Sequence, residues 1–333
     1  MTFFKKHGWL ITLAVIALLF PLILPNQYFI QIGILIGIWS IAVYGLNLIT
    51  GYIGQLSLAH AGFFAIGAYS LGLLTLNAGI PFWAAFFLSL AITAVFGLLI
   101  GLVALRTKSH FFAIYTMSVG FLIYLVIYKW DELTGGVRGL IGISAPDGIG
   151  PVTFQSITSQ YYFVIFFLLV TIFLMRRIVH SLLGRTFTAI RNSEDLAKTI
   201  GISVMKNKLL AFVLSSIFAG LAGILYASYI RFLGPEIAYI EVAFEILLYL
   251  LVGGIGTLAG PLVGTIIVVT LTQSLQFLEE YRMLIFGPIV VLLILFYPQG
   301  IVGQYYMWKM KRNFKKKPSI HTGKENSVKE ARS

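Results

Sequence analysis

Long, uncharged apolar runs constrain this chain more than any other feature. Phe82 to Leu105 and Tyr161 to Met175 are two of them. A helix needs about 20 apolar residues to cross roughly 30 Å of hydrocarbon, and inside hydrocarbon every backbone polar group has to be paired within the chain. The strands of a soluble α/β core would instead recur as short runs between polar turns, a rhythm absent here. Composition agrees. With 59% of 333 residues hydrophobic and only 11% charged, there is too little polar surface to cover a water-soluble globule. The expected fold class is all-α, a polytopic transmembrane helical bundle.

The first run, Leu10 to Leu24, follows Lys5 and Lys6 and has the look of a secretory signal. It ends in Pro25-Asn26-Gln27 without a small-residue cleavage site, so a retained span is expected. Further spans are expected at 29–50, 55–76, 82–105, 111–128, 161–178, 208–230, 239–253, 257–277 and 283–300, about ten in all. In 239–277, glycines interrupt two short stretches that would also suit a re-entrant pair. Basic residues set the orientation. Lys5 and Lys6, Arg106 and Lys108, the seven lysines and arginines from Arg176 to Lys208, and the Lys309 to Lys317 cluster fall on one side, which is then cytoplasmic. Both termini lie there. The 129–160 loop, with Asp131, Glu132 and Asp147, and the Glu279-Glu280-Tyr281-Arg282 turn face out. Residues 1–308 thus form a membrane domain containing a cytoplasmic loop at 181–207, and 309–333 form a basic tail expected to be disordered and drawn to anionic lipid.

The net charge of +12 is spread over short clusters between apolar runs and over the tail, so topology accounts for it and no nucleic-acid partner is expected. There is no cysteine, and the five histidines form no H-E-x-x-H arrangement, which argues against a metal site. No G-x-x-x-x-G-K-[ST] phosphate loop occurs. Gly254-x-Gly256-x-x-Ala259 matches the loose dinucleotide fingerprint, but it lies between hydrophobic runs with no strand–helix unit around it. No cofactor is expected on this chain.

An internal repeat is visible. Residues 51–62 align with 253–264, with identities at Gly51/Gly253, Ile53/Ile255, Gly54/Gly256, Leu56/Leu258 and Gly62/Gly264. Glycine-interrupted segments at matching places in two halves point to a transport pathway, because unwound backbone is tolerated in a membrane only where it is buried or lines a cavity. Glycine is also common where helices pack closely, as Gly97 with Gly101 and the series Gly256, Gly260, Gly264 suggest. Both readings stand at this level. Gly51, Gly54, Gln55, Ser57, His60, Glu245, Gly253 and Gly256 are the candidates for the path. An ionisable group within a span rarely faces lipid: of Glu241 and Glu245, four apart on one helical face near the outer end of a span, one or both are expected to face a wet vestibule, and His60 suits a substrate contact or, at least as well, a neutral, hydrogen-bonded packing role.

The loop 181–207 reads as two short helices. Asn192-Ser193 supplies a break and an N-cap, Glu194 and Asp195 put negative charge in the next first turn, and Gly201 suits a left-handed closing position. Ala189, Ile190, Leu196, Ala197 and Ile200 project as an apolar ridge framed by Arg185, Arg191 and Lys198, provided the break leaves both halves facing one way. Such a ridge suits a protein partner or the membrane surface.

Asp195-Leu-Ala197-x-x-x-Gly201 is similar to the E-A-A-x-x-x-G coupling motif of bacterial ABC-importer permeases. Gly184-Arg-x-x-x-Ala-Ile-Arg191 followed by Gly201-Ile resembles its version in branched-chain amino acid permeases, and Gly45-Leu-Asn-Leu with Gly51-Tyr-Ile-Gly-Gln-Leu-Ser-Leu-Ala-His-Ala-Gly resembles that group's early signature in its LivM-type subunit. Aspartate replaces the motif's glutamate, and its I-x-L-P ending is absent. The resemblance implies a bacterial inner-membrane permease subunit that forms the path for branched-chain or other hydrophobic amino acids. It also implies cytoplasmic ATPase subunits that hold the ATP, a second homologous permease, and an extracellular or periplasmic substrate-binding protein. Arg185, Ala189, Arg191, Asp195, Ala197 and Gly201 would then form the ATPase-coupling loop. A proton- or ion-coupled carrier using Glu241, Glu245 and His60 is the competing expectation, and an enzyme is not expected, since neither G-x-S-x-G nor paired deep carboxylates occur.

Overall fold

A computed structural model describes residues 15–107, 110–148, 153–275, 287–288, 291 and 295–315. Helix α1 covers residues 15–23. Asn26 caps α2 (Gln27–Leu46) by accepting from Tyr28 N, and α2 runs without a break into a π-helical segment, Asn47–Ile53. Gly54, at φ +84°, ends it. An irregular stretch follows before α3 (His60–Leu76), then come α4 (Phe82–Ala104), α5 (His110–Lys129) and the short α6 (Asp131–Thr134). The chain continues through β1 (Leu140–Ile141), α7 (Ile157–Val179), α8 (Leu182–Asn192), α9 (Glu194–Thr199), α10 (Val204–Ile230), β2 (Phe232–Leu233), α11 (Ile240–Gly253), α12 (Gly260–Ser274) and α13 (Gly300–Lys315).

Five of these helices are long and apolar enough to span a membrane: α2 with its π-helical extension, α4, α5, α7 and α10. The fold is therefore the expected helical bundle, with corrections to its boundaries. The span expected from residue 55 starts only at His60, because the backbone from Gly54 to Ala59 is not helical, and the span expected to end at 50 continues to Ile53. α11 and α12 have 14 and 15 residues, so each is roughly 21–23 Å long, short of a full crossing. Helix α13 carries regular structure to Lys315, beyond Lys309 where the disordered tail was expected. Lys5, Lys6, Lys108, the Glu279–Arg282 turn, half of the 283–300 span and the tail from 316 lie outside the described residues.

Helix α10 is the shared wall of the bundle, packed on α2, α3 and α4. Glycine makes that possible. A β-carbon on Gly67 would run into the Gly220 backbone, and one on Gly223 into the Phe64 carbonyl, so α3 and α10 meet backbone to backbone. Gly97 against Ser216 and Gly101 against Phe212 bring α4 onto the same helix. These are packing glycines, as expected.

The molecule has two distinct ends. At one, β1 and β2 pair antiparallel, Tyr69 donates to Leu233 O (3.1 Å), and Asp147 accepts from Phe82 N (2.9 Å) at the start of α4. At the other, α8 packs on the π-helical segment, α7 and α10, and α9 on α8 and α10.

Candidate functional site

The two halves of the repeat meet. Gly54 and Gly256, which the alignment pairs, both adopt left-handed backbone, at φ +84° and +72°, and each is followed by an irregular stretch before a new helix begins at His60 or Gly260. Left-handed geometry disfavours any residue with a β-carbon. Gly51 faces Gly256 so closely that a β-carbon would lie 2.7 Å from Gly256 N and 2.9 Å from its Cα. Gly256 therefore lies in the turn, not on the helix face with Gly260 and Gly264; the latter two pack α12 onto α11 at Gly253 and Tyr249. Asn47 fastens the crossing. Its Nδ2 donates to Thr257 O (2.8 Å), its Oδ1 accepts from Gly256 N (2.8 Å), and Tyr44 Oη donates to Leu258 O (2.9 Å). The non-helical turn would otherwise leave these backbone groups without partners inside the membrane domain.

The loop joins this crossing directly. Arg191, at the end of α8, donates from a guanidinium nitrogen to Gly51 O (2.5 Å), and its stem lies against Gly54. Ser193 caps α9 by accepting from Leu196 N (3.2 Å), Glu194 and Asp195 fill its first turn, and Gly201 follows at φ +83°, as the sequence indicates. Lys208, almost fully buried on α10, is bound by the Glu194 carboxylate, fixing α9 to the bundle. The expected ridge is split. Ile190 and Ala197 are buried with Val204 and Ile202, whereas Leu196 (65%) and Ile200 (68%) are exposed. Ala197 is therefore not on an open docking face, because Ser193, at φ −162° and ψ 114°, breaks the helical register between the halves. Arg185 and Asp195 are exposed and Ala189 is half-buried.

The polar candidates scatter over several environments. His60 Nε2 lies 2.7 Å from Ser215 Oγ, which itself donates to Gly45 O (2.6 Å). Ser215 has its one proton on Gly45, so His60 Nε2 carries the donor proton, and the chain ties α3 to α10 and α2. Gln55 Oε1 and Ser57 Oγ are buried without a partner among the described residues. Glu245 lies away from the crossing, toward the opposite end of α11, and accepts from Tyr249 Oη. Glu241 is exposed. Among the described residues, no group of three histidine or carboxylate side chains is placed to hold a metal ion. An apolar groove of about 870 Å³ between α1, α2, α7 and α12 contains none of the candidates. Asn47, Tyr44 and Thr257 are the members the sequence reading missed; an asparagine inside an apolar run was the available signal.

Residues 28–295 match the family described as the permease component of the branched-chain amino acid transport system. Similar proteins include the high-affinity branched-chain amino acid transport system permease protein LivM of Escherichia coli strain K12, 31% identical over 321 residues, 90% of this chain and 75% of that protein. Its Salmonella typhimurium counterpart is 29% identical over 322 residues with the same two shares, 90% and 75%. The LivH permease protein of Escherichia coli strain K12 is 25% identical over 305 residues, 83% of this chain and 96% of that protein. No solved structure matches.

Proposed function

The chain belongs to the permease-component family of branched-chain amino acid transport systems, and from that membership we propose how it divides the work of an ATP-driven importer with its partners. It is a multi-pass membrane transport subunit, not an enzyme. Our reading places it in a bacterial inner membrane, beside a second, homologous permease, with cytoplasmic ATPase subunits that hold the ATP and an external binding protein that delivers a branched-chain or other hydrophobic amino acid. The crossing of Gly51 and Gly256 is the constriction of the path. The α8–α9 loop is the element that the ATPase grips.

One observation carries this reading: Arg191, on the loop, is hydrogen-bonded to Gly51 at the crossing. An ATPase influences a distant path only through a contact that differs between its nucleotide states, and this bond joins loop and path in a single step. Exposed Leu196 and Ile200 form the gripping face, and Arg185 and Asp195 flank it with charge.

The test separates grip from transmission. Leu196→Arg with Ile200→Arg should reach normal membrane levels yet lose copurification of the ATPase and ATP-driven uptake into vesicles. Arg191→Ala should keep copurification and lose uptake. Full uptake by both variants would remove the loop as the coupling element.

A further inference from the structure

We propose that Glu245, with the Tyr249 hydroxyl and the rings of Trp39 and Tyr226, forms the subsite that takes the ammonium group of the transported molecule. The proposal rests on the transport reading above and adds a place and a chemistry to it. Glu245 is half-buried on α11 and bonded to the Tyr249 hydroxyl. No lysine or arginine neutralises it among the described residues, where the two ion pairs are Lys198–Asp195 within α9 and Lys208–Glu194 between α10 and α9. A carboxylate in a membrane domain is held at a cost unless it meets a cation or water. The missing cation is the first indication of a ligand.

The second is the aromatic lining. Trp39 stacks on Phe64 at 5.2 Å, and its ring centroid lies 6.1 Å from Tyr226 and 6.3 Å from Tyr249, so α2, α3, α10 and α11 each contribute one ring. Phe64 is fully buried and backs the group, while Trp39, Tyr226 and Glu245 are partly open. Ring faces attract cations, and a carboxylate gives a primary ammonium a strong, directed hydrogen bond. Together they select ammonium over a neutral or anionic head. Trp39 precedes Asn47, and Glu245 precedes Gly253, by eight positions, so the subsite lies roughly 12 Å along these helices from the residues beside the crossing.

The assembled importer, with its partner subunits, is the system to test. Photo-leucine, whose diazirine sits on the side chain, should label wild-type peptides from α2, α10 or α11, and excess L-leucine should suppress that labelling. 4-Methylpentanoate, which is leucine without its ammonium group, should not. Glu245→Gln should lower both labelling and ATP-driven leucine uptake by about tenfold or more, with ATPase copurification unchanged, and Glu245→Asp should fall between. Trp39→Leu should lower labelling while the complex keeps its elution profile. Unchanged labelling in Glu245→Gln, labelling confined to other helices, or equal competition by 4-methylpentanoate would each overturn the subsite. A wild-type complex without ATP-driven leucine uptake would instead overturn the transport reading itself.

Discussion

Asn47→Ala is the sharpest test of the crossing. The side chain is fully buried, and it satisfies one backbone donor and one backbone acceptor in a turn that has no helical partners of its own. Truncation strands Gly256 N–H and Thr257 C=O. Each stranded group costs about 1–3 kcal/mol in a protein interior, while side-chain hydrogen bonds measured in a membrane average about 0.6 and reach about 1.7 kcal/mol. The turn offers no alternative partner, so the upper part of the membrane range applies to both groups, about 2–3 kcal/mol in total. The control is Ser40→Ala on the same helix. Ser40 is equally buried, but its hydroxyl has no partner among the described residues, so its loss should be neutral or stabilising. Reversible unfolding in mixed micelles measures both, and ATP-driven uptake by the assembled importer should fall only for Asn47→Ala. If Asn47→Ala unfolds within about 0.5 kcal/mol of the parent and transports normally, the amide does not hold the crossing.

Glu194 and Lys208 should respond asymmetrically: Glu194→Gln leaves a lysine buried without its counter-charge, about 3 kcal/mol or more, whereas Lys208→Met leaves a carboxylate with 35% of its side chain in solvent and should destabilise less in the same unfolding assay. Gly54→Leu and Gly256→Leu place a side chain on left-handed backbone at the crossing, so both should reduce uptake more than Gly101→Leu at equal expression, since Gly101 faces the Phe212 and Leu209 side chains. Orientation is open to single-cysteine labelling in a chain that has no native cysteine. Lys198→Cys should react only from the cytoplasm and Asp131→Cys only from outside, and the reverse pattern would invert the topology.

Sequence made the local chemistry of the site visible and hid its long-range pairings. The Gly54/Gly256 match marked interrupted segments in both halves, and the left-handed backbone at both positions, which glycine enters freely, is what the structure adds. Ser193 and Gly201 marked the ends of α9, each being a residue type its backbone position prefers. The apolar ridge failed at one residue. A helical projection assumes continuous register, and the extended backbone at Ser193 turned Ala197 inward while leaving Leu196 exposed. Periodicity gave no help with the spans, whose apolar residues cover every face, so length alone placed them and the unwound stretch after Gly54 was counted as helix. Nothing local tells Asn47 that its partners are Gly256 and Thr257, and the aromatic group around Glu245 draws on four separate helices.

The Asn47 clamp also dates the completion of the fold during synthesis. Its donor, Gly256, lies 209 positions later in the chain. At about 5–20 residues per second, Asn47 waits roughly 10–40 s after it is made before that partner exists. Through that interval α2 sits in the membrane with a buried-type amide and no mate, able to borrow lipid headgroups, water or a chaperone. The bonds that close the crossing are thus among the last that the ribosome makes possible, and a nascent chain stopped before Gly253 holds an open, unclamped first half.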